Sequence, residues 1–252
     1  MDSDNYRDKK RTFDHMITLY GRKTVQEILL DEGIAVHCLH LAESNRREGI
    51  ISDIEALASA RNIPVRRHAR DALSRISKNR RQDQGVAIDL TAPNLSPFLD
   101  EETGRGEWLL LDRVQNPQNL GMILRTIAAS PMTGVILPRE GSASIDPLVW
   151  KASAGCLLRT ELRLAPDTAA AVDHASTIGF EVIALSGQAD TDIRSLEQPG
   201  PPRLWILGNE SEGIAPAHLK KSHKVVSIPL ENGVESLNVS IAAALVAFRG
   251  RL

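Results

Sequence analysis

Three short segments place amide, guanidinium, carboxylate and hydroxyl side chains directly after apolar runs. The first, "QNPQNLGMILRT", carries Asn119 and Arg125, with Gly121 between them. The second, "LGNESEG" from Leu207 to Gly213, carries Asn209 and Glu210 between two glycines. The third, "VVSIPLENGVESLNVS", places Ser236 and Asn238 on either side of Leu237. Side chains of these kinds gathered at strand ends could form a ligand-binding or active site. Each segment also has a plain reading. Asn119 and Ser236 would cap helices starting near Leu120 and Leu237, Arg125 would be a surface charge, and "LGNESEG" would be a loop with solvated acids. Gly121 in a first helical turn is unfavourable, which fits a backbone that something must approach. The glycine loop is not a Walker loop, because Ile-Ala rather than Lys-Ser/Thr follows Gly213. Three polar strand ends together are more specific than any one of them.

The elements that must carry these segments read as an alternation of strand and helix. Predicted strands are "WLLLDRV", "GVILPR", "TELRLA", "FEVIALS", "RLWILG" and "KVVSIPL", with helices beginning near Leu120, Asp146, Thr168, Ala217 and Leu237. Continuously apolar strands separated by helices predict an α/β domain over 107–252, built on a parallel sheet covered on both faces. Chemistry is then expected at the carboxyl ends of its strands. Before it, residues 16–90 read as a smaller α/β domain: helix "RKTVQEILLDEG", strand "VHCLHLA", helix "NRREGIISDIEALASARN", strand "IPVRRHA", helix "RDALSRISKN" and strand "QGVAIDL". The Pro, Gly and acid-rich stretch 91–106 reads as a linker. Residues 1–15 read as a polar disordered tail without the apolar core of a signal peptide.

Composition narrows the classes. Of 252 residues, 42% are hydrophobic and 25% charged, the ordinary range for a packed globular chain. Cys38 and Cys156 are far apart, which argues against a disulfide framework or a zinc site and fits a cytoplasmic protein. His37, Cys38 and His40 share a strand, but residues 37 and 40 face opposite sides. No metal is therefore expected. No run of 18 apolar residues predicts a membrane span. The net charge is −2, yet Arg61, Arg66, Arg67, Arg70, Arg75, Lys78, Arg80 and Arg81 crowd one segment that holds a single acid, Asp71. Such a stretch is either a solvated helix face or a docking patch for a polyanion such as RNA.

The motif segments resemble the SpoU (TrmH) family of RNA ribose 2′-O-methyltransferases, within the SPOUT superfamily. Asn119-Leu-Gly-x-x-x-Arg125 is similar to its first motif, Leu207-Gly-Asn-Glu210-x-x-Gly213 to its second, and Ile228-Pro-Leu…Ser236-Leu-Asn238-Val-Ser to its third. Asn116-Pro117 stands where Asp-Pro is common, and Ser211 replaces a frequent small residue. The "YGRKTVQEIL" and "DQGVAI" stretches resemble the RNA substrate-binding domain often fused to this family. The resemblance implies a C-terminal trefoil knot and a homodimer formed through the C-terminal domain. It implies S-adenosylmethionine (AdoMet) lined by Leu185, Leu207, Gly208, Ile228 and Leu237, and a catalytic set of Asn119, Arg125, Glu210, Ser236 and Asn238. The N-terminal domain would bind rRNA or tRNA, with Arg61, Arg66, Arg67, Arg70, Lys78, Arg80 and Arg81 as candidate contacts.

The implied reaction moves a methyl group to a ribose 2′-hydroxyl. Deprotonating a free arginine at neutral pH costs about 7–9 kcal/mol. A charged Arg125 that binds phosphate and developing alkoxide is therefore favoured over Arg125 as the base. Two other classes remain for the sequence. One is a non-catalytic RNA-binding module that keeps the fold, against which the intact motif set speaks. The other is a nucleotide-dependent α/β enzyme, for which no GxGxxG follows a strand.

Overall fold

The computed structural model describes residues 15–98, 106–196 and 200–251. The chain separates into two compact units, one extending to Pro93 and including Ile145–Lys151, the other formed by Asn94–Ser144 and Ala152–Leu252. The tail expected over 1–15 falls outside the described residues except for His15, whose carbonyl accepts the Ala92 N–H at 2.7 Å.

The N-terminal unit is a four-stranded sheet in the order β1-β4-β2-β3. Its elements are β1 (Met16–Tyr20), α1 (Arg22–Leu30), β2 (Val36–Ala42), α2 (Ile50–Ala60), β3 (Val65–His68), α3 (Arg70–Ser77) and β4 (Val86–Thr91). β4 is antiparallel to β1 and β2, and β3 joins β2 in parallel. β1 was not among the predicted strands. It is a five-residue edge strand directly after a polar tail, too short for alternation to stand out. On one sheet face Tyr20, Ala42 and Ala87 pack against Leu73 and Ile76 of α3.

The C-terminal unit is a seven-stranded, wholly parallel sheet in the order β11-β9-β10-β6-β7-β8-β5. Its strands are β5 (Leu95–Pro97), β6 (Glu107–Asp112), β7 (Gly134–Pro138), β8 (Glu161–Ala165), β9 (Glu181–Leu185), β10 (Arg203–Gly208) and β11 (Lys224–Val226). Its helices are α4 (Pro117–Ala128), α6 (Thr168–Thr177), α7 (Pro216–Lys221) and α8 (Val239–Phe248), while most of α5 (Pro147–Ser153) belongs to the N-terminal unit. Two expectations are corrected. The presumed linker 91–106 contains the edge strand β5, paired with β8, while residues 99–105 lie outside the described part. "KVVSIPL" is a strand only to Val226, because Pro229 offers no N–H for a ladder and the chain turns into a long loop.

Trp108, Leu110, Ile136, Val182, Leu204 and Ile206 form the central core, each at most 1% exposed. Burying each such side chain contributes about 1.5–3 kcal/mol, which explains why these strands read as unbroken apolar runs. At the amino ends of the strands, Trp205 donates its indole N–H to Glu107 at 2.9 Å. The Arg249 guanidinium lies 4.4 Å above the Trp205 ring and pairs with the same carboxylate, fastening the end of α8 to the sheet. The opposite, carboxyl ends of β11, β9, β10 and β6 are neighbours in the sheet although they fall at residues 226, 185, 208 and 112.

Candidate active site

Asn119 is the centre of this edge. It is 7% exposed and sits in the first turn of α4. Its Nδ2 donates to the Glu210 carboxylate, and its Oδ1 accepts the Asn238 amide N–H at 3.2 Å. One buried amide thus joins residues from all three motif segments. Both helix caps differ from expectation. Asn116 caps α4, accepting the N–H groups of Gln118 at 2.9 Å and Asn119 at 3.4 Å. Pro117 occupies the first turn, where its missing N–H costs nothing. Asn238, not Ser236, caps α8, its Oδ1 accepting Ser240 N–H at 2.8 Å and the Ser240 hydroxyl at 2.6 Å. Because Asn116 serves the helix end, Asn119 is released to bond across the site.

The loop after β10 is tightly built. Asn209 Oδ1 accepts the N–H groups of Ser211 at 2.9 Å and Glu212 at 2.7 Å. The Gly208 Cα lies so close to the returning chain that a Cβ there would collide with the backbone of Gly213 and Ile214. Leu207, buried, is in register with half-buried Leu185 on β9. A Cβ on Gly187 would stand 3.2 Å from the Glu235 carbonyl, so the loop after β9 also touches the segment leading to α8. Ile228 and Leu237, both partly exposed, lie on that same long segment.

Two members of the expected set stand apart from this centre. Ser236 is exposed and makes no hydrogen bond with a described residue. Arg125 is exposed on α4, about 120° around the helix from Asn119 and about 9 Å further along it, and forms no ion pair with any described residue. It shares its helix face with Met122, which is 44% exposed.

The basic segment of the N-terminal unit divides in two. The half-buried Arg61 is held within the unit: its guanidinium donates to the carbonyls of Leu29 at 2.9 Å and Asp31 at 3.0 Å, and to that of Ile34, closing the end of α1. Arg70 pairs at 2.7 Å with the fully buried Asp83, and Arg67 pairs with Glu55. Arg66, Lys78, Arg80 and Arg81 are exposed. Beside Arg66, a polar chain crosses the sheet. Thr18 donates to Asp89 at 2.6 Å, His40 Nε2 meets the other Asp89 oxygen at 2.9 Å, and His40 Nδ1 meets His68 Nε2 at 3.0 Å. Burial pushes the Asp89 carboxyl up, but the bonds from His40 and Thr18 outweigh it and hold the group below the usual range. Burial, His40 and Arg66 together lower the His68 imidazolium.

A family model described as the SpoU rRNA methylase family matches residues 108–248, and one described as RNA 2′-O ribose methyltransferase substrate binding matches 18–96. The chain belongs to the SpoU methylase family. The 23S rRNA (guanosine-2′-O-)-methyltransferase RlmB of Xylella fastidiosa is 32% identical to it over 84% of this chain and 86% of its own. A putative RNA methyltransferase of the TrmH family from Porphyromonas gingivalis has a similar structure, with a TM-score of 0.63 and 26% identity over 95% of this chain and 90% of its own. An AdoMet-bound rRNA methyltransferase from Sinorhizobium meliloti shares the fold at a TM-score of 0.65 and 24% identity, over 99% and 92% of the two chains. As a SpoU methylase, this protein is an RNA ribose 2′-O-methyltransferase, and the Sinorhizobium meliloti structure holds AdoMet.

The site fits that cofactor. The apolar Leu185 and Leu207 lie side by side at the strand ends next to Gly208, and suit an adenine and the alkyl arms of a sulfonium. Sequence reasoning missed Asp112 and Arg113, whose acid–base pairing directly after an apolar strand was a usable signal, and Asn116, whose Asn-Pro step marks a helix start.

Proposed function

We propose that this SpoU methylase modifies a nucleotide in structured ribosomal RNA, using the Asn119 centre to align the ribose for methyl transfer. The hydrogen-bonded chain Glu210–Asn119–Asn238 carries this reading, since it makes one rigid unit of all three motif segments. Bound AdoMet supplies an already activated methyl group on a sulfonium. The protein's task is then to hold the 2′-oxygen in line and to stabilise it as its proton leaves. Leu185, Leu207, Gly208, Ile228 and Leu237 hold the cofactor. Asn238 and Ser236 line the ribose side, and Glu210 fixes the rotamer of Asn119. Arg125 stays charged and binds the neighbouring phosphate and the developing alkoxide.

Arg125 lies away from Asn119 within one chain, and this fits assembly as a homodimer. Exposed Met122 on α4 and exposed Ile241 and Leu245 on α8 form an apolar surface beside it, and a second copy covering that surface would complete the site. A C-terminal trefoil knot accords with the insertion of β10 between β9 and β6 and with the approach of Gly187 to Glu235. The N-terminal unit presents Arg66, Lys78, Arg80 and Arg81 to RNA phosphates, and the whole operates in the cytoplasm.

The deciding experiment incubates the purified protein with labelled AdoMet and either ribosomal or transfer RNA, then maps ribose methylation. Label at a ribose in ribosomal RNA is expected. AdoMet binding without transfer to either RNA would leave a binding module in place of an enzyme.

A further inference from the structure

Arg113 is the first residue after β6 and has a φ of +60°. A side chain bearing Cβ resists that conformation, which glycine adopts freely. A non-glycine residue persists there where its surroundings over-determine it. The surroundings here are the loop after β10. The Arg113 guanidinium pairs with the Glu212 carboxylate and donates to the Gly213 carbonyl at 3.1 Å. Its neighbour Asp112, fully buried, accepts the Ala215 N–H at 2.9 Å on one oxygen and the Thr168 hydroxyl at 3.0 Å on the other. Two consecutive residues at the end of β6 therefore grip the downstream end of segment 209–215. Asn209 ties its upstream end. Glu210 lies between, bonded to Asn119, and Asn119 belongs to the helix that starts only four residues after Arg113.

We propose that Arg113 is a positioning residue for methyl transfer: its fork sets the 209–213 loop so that Glu210 meets Asn119, and it acts without touching RNA or cofactor. The Glu212 side chain is 68% exposed, so the ion pair adds little to global stability. What it supplies is local geometry. A bidentate fork held by a carboxylate and a carbonyl fixes direction as well as distance. This inference rests on the proposed place of Glu210 at the reacting centre.

The test is Arg113→Gly, which removes the guanidinium while keeping the turn, since glycine takes φ +60° without strain. Hydrogen–deuterium exchange should be about tenfold faster at the Ser211, Glu212 and Gly213 amides, with the unfolding midpoint within about 2 °C of wild type. In the transfer assay kcat should fall about tenfold or more, with AdoMet affinity and the KM for RNA changed by less than about twofold. Arg113→Lys keeps the charge without the fork and should fall between the two proteins. Unchanged exchange over 211–213 overturns the inference whatever the activity. So does faster exchange with wild-type kcat, and so does a fall in midpoint beyond about 10 °C, which would make Arg113 a residue of the fold. A wild-type protein that methylates no RNA would defeat the proposed function, while the exchange measurement still decides the clamp.

Discussion

Replacing Asn119 by aspartate exchanges one heavy atom, nitrogen for oxygen, and adds one negative charge at the centre of the site. Asn119 now donates Nδ2–H to Glu210 and accepts from Asn238. In Asn119→Asp the acceptor remains, but the donor becomes a carboxylate oxygen facing another carboxylate. Two unit charges 4 Å apart at an effective dielectric of 20 repel by about 4 kcal/mol. Glu210 is exposed, so solvent reduces this to about 2 kcal/mol, or about 4–8 °C in the unfolding midpoint of the C-terminal unit. The sign with pH follows from proton sharing. Two carboxylates in contact raise the affinity of one of them for a proton, and that shared proton restores a hydrogen bond. A carboxyl whose folded pKa is raised costs nothing below its unfolded value near 4, and its penalty grows as pH rises through the raised folded value. The midpoint of Asn119→Asp should match wild type near pH 4 and fall below it by the full amount at pH 7 to 8. Calorimetric or circular-dichroism melts across that range measure the difference. A variant as stable as wild type at pH 7.5, or one whose deficit grows on acidification, would refute the Asn119–Glu210 contact as the organising bond of this site.

Arg125→Ala should fold and bind AdoMet normally while methyl transfer drops by about two or more orders of magnitude, because an interaction strongest in the transition state is lost. Arg125→Lys then separates charge from base: activity that tracks the titration of lysine near pH 10.4 would assign the proton acceptor to this position. Reversing the charge at Lys78, Arg80 and Arg81 should weaken RNA binding whatever the RNA sequence, with each lost phosphate contact removing about 0.7–0.9 from the salt slope, and leave AdoMet affinity unmoved. The proposed homodimer predicts a dimeric wild type by light scattering and a monomer on the double substitution Ile241→Asp and Leu245→Asp. In the N-terminal unit, the depressed Asp89 carboxyl contributes stability that is fully present above its unfolded value near 4 and is lost as pH falls through the lower folded value. Asp89→Asn should therefore flatten the acid limb of that unit's stability profile, and an unchanged limb would remove Asp89 from it.

The strand–helix alternation of the C-terminal unit was legible because each central strand is buried on both faces, and such strands must be continuously apolar. Trp108 to Leu111 and Leu204 to Leu207 state this directly, and the polar residues that follow them mark the strand ends. Short edge elements were less legible. β1 and β5 have five and three residues, too few for periodicity to speak. Helix caps were misread by two or three positions, because Asn116, Asn119, Ser236 and Asn238 all have side chains suited to a cap. Competition for the same backbone N–H groups decides among them, and that is a matter of coordinates. The basic segment was read by charge alone, which could not separate Arg61, whose fork closes α1, from the exposed Arg66.

Residue order alone determined the inventory of this protein: apolar strands, helices between them, and three polar motif segments at strand ends. The sheet order was beyond it. Nothing local says that β10 inserts between β9 and β6, and that insertion brings residues 112, 185, 208 and 226 to one edge. Only the tertiary structure made Asn119 the link between Glu210 and Asn238, 91 and 119 residues away, and left Arg125 facing outward. The physical reason is the difference in range between the two kinds of information. Propensity and periodicity act over a few residues. Strand pairing and buried hydrogen bonding are satisfied between segments far apart in the chain, and they select one arrangement because an unpaired polar group in the interior costs about 1–3 kcal/mol.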